Sequence, residues 1–303
     1  MSWETSETIV RQKRKPGRPK GSKNRNKQEL MQATLVTMQQ NFVKIQDTPE
    51  ETDDQIATRL AKTFKTLEIM ANASCDGFNR AMIVSGPAGI GKSEGINRAL
   101  AKREAEGDIN FVSVKGYVRA TGLYKVLYEN QESSNVIVFD DADSIFYDDV
   151  SLNLLKAATD TTKKRELFWL TEGKMYDQDD ELLPNRFTFE GSIIFITNID
   201  FDAMANSGNK LAPHMAAMMS RAHYLNVNIK TPAAYLVRIK QVMDSGMISH
   251  LVSREDEQII FEYIKDNAAR LRELSLRVVI KITDMYLMTP DWRDLVECTL
   301  MRN

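Results

Sequence analysis

Gly86-Pro87-Ala88-Gly89-Ile90-Gly91-Lys92-Ser93 follows the apolar run Ala81–Val84 and precedes a helical pattern over Glu94–Arg103. A glycine-rich turn between a strand and a helix lets backbone N–H groups wrap phosphate oxygens at a helix N-terminus, where the helix dipole also favours negative charge. In a G-x-x-x-x-G-K-S string the lysine neutralises the β- and γ-phosphates and the serine hydroxyl serves Mg²⁺. All eight residues are therefore read as a nucleotide cradle, with Lys92 on the phosphates and Ser93 on the metal.

Outward from this loop, further apolar runs at Ile109–Val114, Val136–Phe139, Ile193–Ile196 and Leu225–Val227 alternate with helical segments. Short continuous apolar strands separated by helices predict a parallel sheet covered on both faces. The third run ends in Asp140-Asp141, and Asp140 lies 47 residues beyond Ser93. A buried parallel strand delivers such carboxylates to the C-terminal edge of the sheet, where ligands bind. Asp140 is expected to hold Mg²⁺ through water and Asp141 to orient or deprotonate an attacking water. Taken alone, the pair also fits a strand leading into a solvated turn.

Helical spacing appears on both sides of this core. Leu30, Leu35, Met38, Phe42 and Ile45 recur over Glu29–Thr48, and Ile56, Leu60, Phe64 and Leu67 share a face over Asp53–Met70, with Thr48 as a cap before the second helix. From Thr231 the pattern is helical throughout, over 231–244, 254–271 and 275–287, with a short segment near 290–300. The chain divides into an arm over 1–28, helices over 29–78, a nucleotide-binding core over 79–230 and a helical part over 231–303.

In this order and spacing the motifs resemble those of the AAA+ ATPases, over roughly residues 50–290. The resemblance implies an α/β fold, with a P-loop αβα parallel-sheet core and a C-terminal α-helical lid. It implies ATP and Mg²⁺ as ligands, held between subunits of a ring or helical oligomer. Ser192–Asn198 is similar to the sensor-1 strand, which makes Asn198 the group that positions water against the γ-phosphate. Met219–His223 is similar to the Ser-Arg element of clamp-loader-like members, which makes Arg221 an arginine finger acting on a neighbouring subunit's ATP. Leu274–Val279 is similar to the sensor-2 helix, with Arg277 reaching the γ-phosphate and Arg270 and Arg272 close enough to be alternatives.

One departure stands out. The family's strand usually ends in Asp-Glu, whereas this chain has Asp140-Asp141. One methylene less shortens the reach by about 1.5 Å, and misplacement on that scale can cost ~10²-fold in rate. Slow hydrolysis, help from Asp143 and stimulation by a partner are the three possible consequences, while nucleotide binding is expected to survive.

Two further segments keep alternatives open. Arg165–Leu170 and Arg186–Glu190 read as strand-like flanks of a polar loop, and several AAA+ motors use a hairpin here to touch DNA. The acidic stretch Asp177–Glu181 favours a protein contact or a plain insertion instead. Lys115-Gly116-Tyr117 occupies the usual position of a pore loop, or is a surface turn.

Charge is segregated. Lys plus Arg total 40 against 42 for Asp plus Glu, a net charge of −2 that on its face argues against a nucleic-acid binder. Residues 11–27, however, hold nine basic residues and no acid, so the rest of the chain sums to −11. Pro16, Gly17, Pro19 and Gly21 forbid a helix there, and a disordered basic arm is expected. Lys13–Asn24 resembles an AT-hook, in which a Gly-Arg-Pro core lies in the minor groove of A·T-rich DNA. Arg14, Lys15, Gly17, Arg18, Pro19 and Lys20 are its DNA-binding residues; Pro16 departs from the fuller motif, and a localisation signal or solvated tail is the alternative.

Other classes are set aside. No apolar run approaches the ~20 residues that span a bilayer, and Met1–Val10 has no pattern of a secretory signal. Cys75 and Cys298 make no disulfide framework, and His214, His223 and His250 show no metal-ligand spacing. The expectation is an intracellular, DNA-associated ATPase without a membrane partner, in the host bacterial cytoplasm if phage-encoded. It would assemble on or remodel DNA or replication complexes, with a replication protein as a further partner. A nucleotide-switched DNA-bridging protein with little turnover and a translocating helicase-type motor are the competing readings, and the resemblance extends to compact, virus-encoded members of the family.

Overall fold

The computed structural model describes residues 51–171, 173–176 and 180–302. The basic segment, including Arg14, Lys15, Gly17, Arg18, Pro19 and Lys20, and the helix expected over 29–48 lie outside the described residues, as does Thr48. Helix α1 (Asp53–Cys75) begins at a capping box: Thr52 accepts from the Gln55 N–H and the Gln55 side chain accepts from the Thr52 N–H. Thr52 therefore caps this helix, and its buried face continues through Ala71 to Cys75, beyond the expected end at Met70.

The core then runs β1 (Ala81–Ser85), α2 (Lys92–Ala105), β2 (Asn110–Lys115), α3 (Ala120–Glu129), β3 (Asn135–Asp140), a 3₁₀ turn at Asp143–Phe146, α4 (Asp149–Ala158), β4 (Glu166–Phe168), β5 (Arg186–Thr188), β6 (Ser192–Thr197), α5 (Phe201–Ala205), α6 (Ala212–Arg221) and β7 (His223–Asn226). Strand order in the main sheet is β2-β3-β6-β1-β7, and every pairing is parallel. From β1 the chain crosses to β2 at the far edge and works back, leaving β1 between β6 and β7. Such a reversal opens a crevice at the C-terminal ends of the strands. Asp140 pairs with Ile196 and Ser85 with Thr197, so the ends of β3, β6 and β1 are level.

Period-two alternation decides the layers. Ile83, Ile137, Phe139, Ile193 and Phe195 join one core with residues of α3, α4 and α6, among them Leu123, Leu155 and Met218. Met82, Val84, Val138, Ile194 and Ile196 join the other with Leu60 and Leu67 of α1 and Ile96 and Leu100 of α2. Each such fully buried side chain contributes about 1.5–3 kcal/mol relative to exposure. The result is an αβα sandwich.

Strands β4 and β5 form a separate antiparallel hairpin. Phe187 anchors it edge-on against Tyr124 and Tyr128, with ring centroids 5.1 and 5.4 Å away.

Helices α7 (Pro232–Asp244), α8 (Arg254–Asp266), α9 (Leu276–Met288) and α10 (Trp292–Leu300) pack around Ile239, Ile260, Val279, Ile282 and Trp292. Helix α8 stops short of the expected residue 271. Asn267 caps it, its Nδ2 donating to the Tyr263 carbonyl at 2.9 Å, and Leu271 instead bridges Met301. Among the described residues, no helix is long and apolar enough to cross a membrane.

Candidate functional site

The phosphate loop turns from β1 into α2 through Gly89 (φ 70°) and Gly91 (φ 92°), left-handed conformations that favour glycine. Gly91 is the N-cap of α2 and has no side chain to satisfy the first N–H groups, which leaves them for an anionic ligand. Lys92 is buried at the start of that helix. Its ammonium donates to the carbonyls of Gly86 (2.6 Å) and Pro87 (2.7 Å) and to Asn198 Oδ1 (3.2 Å). Burial pushes its pKa down to about 8 against the opposing pull of Asp141 and Asp140.

The level strand ends bring the carboxylates to this lysine. Ser93 Oγ donates to Asp140 Oδ1 at 2.7 Å, and the other Asp140 oxygen lies 2.9 Å from Lys115 Nζ. Asn198 bridges the site, its Nδ2 donating to Asp141 Oδ1 at 2.9 Å while its Oδ1 accepts from Lys92. Asp141 has a left-handed backbone (φ 53°). Asp143 accepts from Thr197 Oγ1 at 2.6 Å. Burial raises the Asp143 pKa, opposed by that hydrogen bond and reinforced by the nearby Asp141 charge.

Helices α7 and α9 cover the loop. The Leu276 N–H donates to the Gly89 carbonyl at 2.7 Å, and Arg238 Nε donates to the Ile90 carbonyl at 3.1 Å. The Arg238 guanidinium also sits over Phe64, its central carbon 3.3 Å from the ring centroid. Burial beside Arg98 lowers its pKa to about 10. Between the loop and these helices lies a cavity of about 980 Å³, lined by Lys92, Ser93, Asp141, Asn198, Arg238 and Arg277 among others.

Residues expected from sequence thus fall into two groups. Lys92, Ser93, Asp140, Asp141, Asn198 and Arg277 meet at or beside the cavity, together with Ala88, Gly89 and Gly91. Arg221 does not line it; its Nη1 donates to the Ala217 carbonyl of its own helix at 3.0 Å. Arg270 pairs with Glu297 and Arg272 Nε donates to the Met301 carbonyl, so both are turned to the helical bundle. Lys115 reaches back to Asp140.

The parts that Phe64, Arg238 and Thr197 play at the site escaped the sequence reading, which placed Phe64 only on a helix face and Thr197 only in a strand. Phe64 repeats at core spacing with Leu60 and Leu67, and Arg238 looks like any exposed helical arginine until the fold pairs them.

Mg²⁺ suits the donors present. Among the described residues no cluster of three His, Cys, Asp or Glu could hold a metal by itself. A hydroxyl and one carboxylate beside a phosphate loop fit a hard ion that completes its shell with phosphate oxygens and water.

No family model matches the chain. It is 36% identical over 249 residues to the uncharacterized 36.7 kDa protein in the nrdC-mobD intergenic region of Enterobacteria phage T4, a match covering 82% of this chain and 75% of that protein. Among solved structures it is similar to NtrX from Brucella abortus in complex with ADP (13% identity, TM-score 0.47), covering 85% of this chain and 56% of that one. It is also similar to domain III of the Thermotoga maritima replication initiation protein DnaA (8% identity, TM-score 0.42), covering 78% of this chain and 85% of that one.

Proposed function

This chain belongs to the family of the 36.7 kDa phage T4 protein, and from that premise and its site geometry we propose that it is an ATPase of the AAA+ type acting on DNA. The observation that carries the reading is the convergence on one phosphate loop of Lys92, the Ser93–Asp140 pair and the Asn198–Asp141 pair.

In this mechanism the Gly86–Gly91 backbone wraps the phosphates, and Lys92 exchanges its carbonyl acceptors for phosphate oxygens. Ser93 and Asp140 hold Mg²⁺, which when bound neutralises charge on the phosphates. Arg277 reaches the γ-phosphate from α9. Asn198 orients water, and Asp141 takes its proton as the water oxygen attacks the γ-phosphorus and ADP leaves. Asp143, made more basic by burial and within the electrostatic reach of Asp141 and Lys92, is the second acid that would assist.

Arg221 acts on the ATP of a neighbouring subunit in a ring or helical oligomer. The basic arm holds DNA, with A·T-rich minor groove as its preferred target, and a replication protein is a further partner. The phage relative supports a workplace in the host bacterial cytoplasm.

The test is phosphate release measured with and without A·T-rich duplex, for the full chain, a Lys92→Ala variant and a chain lacking residues 1–28. DNA-stimulated turnover lost in the first variant, with salt-sensitive DNA binding lost in the second, supports the proposal. Unchanged DNA affinity without the arm defeats the DNA assignment. A second reading, a nucleotide-switched bridging protein with little turnover, is favoured by the short carboxylate at Asp141; binding and DNA bridging without phosphate release would select it.

A further inference from the structure

Lys115 ends β2 directly beside the end of β3, where it is the register partner of Asp140. Its ammonium lies 2.9 Å from Asp140 Oδ2; the Asp140 side chain is 5% exposed and that of Lys115 63%. With Ser93 Oγ on Oδ1, both oxygens of this carboxylate are engaged by the chain itself. Burying a carboxylate without a compensating charge is costly; Lys115 supplies that charge by direct contact, and the buried Lys92 adds to it. An ammonium and a divalent cation repel one another across one carboxylate. Lys115 is well made to yield, because its stem is largely in water and an ammonium is strongly hydrated.

Beyond Lys115 the chain is pinned again at Val118. The Val118 N–H donates to Ser144 Oγ at 3.0 Å, and Ser144 Oγ donates to the Val118 carbonyl at 3.2 Å. Gly116 (φ 85°) and Tyr117 (76% exposed) therefore hang between two anchors, both on the segment that carries Asp140, Asp141 and Asp143.

We propose that Lys115 is the resident counter-ion of Asp140 and gives it up when a divalent cation binds with nucleotide, thereby setting the Mg²⁺ requirement of the site and loosening the Gly116–Tyr117 turn. The inference rests on the nucleotide reading above. It makes Lys115 a positioning residue and the turn a reporter of metal occupancy.

The test uses the full chain and a fluorescent ADP analogue, so that no turnover is involved. Mg²⁺ is titrated against bound analogue for the wild type, Lys115→Met and Lys115→Arg. The Lys115→Met midpoint is expected at about fivefold lower Mg²⁺, the effect of one largely hydrated unit charge at close range, and that of Lys115→Arg near the wild type. Hydrogen exchange of residues 115–119 in the wild type should quicken with Mg²⁺ and ADP but not with ADP and chelator, a measurement independent of whether the variants fold. Equal midpoints in the wild type and Lys115→Met, or exchange in this segment indifferent to Mg²⁺, would overturn the inference alone. No binding of the analogue by the wild type at any Mg²⁺ concentration would defeat the nucleotide reading and this inference together.

Discussion

Asn198 holds the carboxylate of Asp141: its Nδ2 donates to Asp141 Oδ1 at 2.9 Å, across the gap between the ends of β6 and β3. The bond fixes a side chain whose backbone is left-handed (φ 53°), a conformation visited by Asp and Asn more readily than by most residues. Local backbone geometry thus gives a physical reason for aspartate where the resembling family usually has glutamate.

Asp141→Asn should leave nucleotide affinity within about twofold and reduce phosphate release by ~10²-fold or more, the scale of lost proton transfer. Asp141→Glu should move the other way, raising turnover by restoring reach while lowering stability by up to about 1 kcal/mol for the less favourable backbone. Phosphate release and thermal melts on the two variants check both. Turnover lower than wild type in Asp141→Glu would remove side-chain length as the limiting factor.

Gly89 is the contact between loop and helical cover. A Cβ there would lie 2.8 Å from Ser275 Cβ, on a backbone already at φ 70°. Gly89→Ala should cost about 2–4 kcal/mol, combining left-handed strain with overpacking, and weaken nucleotide binding as α9 is pushed off the loop. Melting temperature and fluorescent-nucleotide affinity read the two effects separately.

Lys92 sets a pH dependence in a window well below that of an ordinary surface lysine. Buried, it titrates near 8 in the free protein instead of 10.5. The protonated form is the one that holds phosphate, so affinity should be flat below about pH 7 and fall above pH 8 by at most ~tenfold per unit. Without nucleotide the unfolded chain keeps this proton up to 10.5 while the folded chain releases it near 8. The contribution of this group to stability therefore rises with pH across that window. Calorimetric titrations and melts from pH 6.5 to 9.5 test both signs.

Arg221 stands apart from its own cavity, and its Nη1 donates to the Ala217 carbonyl. If it completes a neighbour's site, Arg221→Ala should bind nucleotide normally and lose ~10³-fold or more in turnover. Mixing it with Lys92→Ala should restore activity, since one variant offers an intact nucleotide loop and the other an intact arginine. No restoration would assign Arg221 to the packing of its own subunit.

Sequence by itself determined the parallel sheet and the phosphate loop. Both are written locally: the apolar run Ala81–Val84 needs no partner to be read as a buried strand, and Gly89 and Gly91 mark turns that few other residues can make. Helix ends proved less legible, because α8 stops where the Asn267 side chain takes a backbone carbonyl and Leu271 finds Met301 across the bundle. Tertiary structure alone decided who meets whom at the sheet edge. Strand order puts β6 between β3 and β1, and only then can Asn198 bridge Asp141 and Lys92. Level register puts Lys115 on Asp140, and packing of α1 against α7 lays Arg238 on Phe64. These contacts join residues distant in sequence, and no periodicity or motif in the sequence encodes the distances between them.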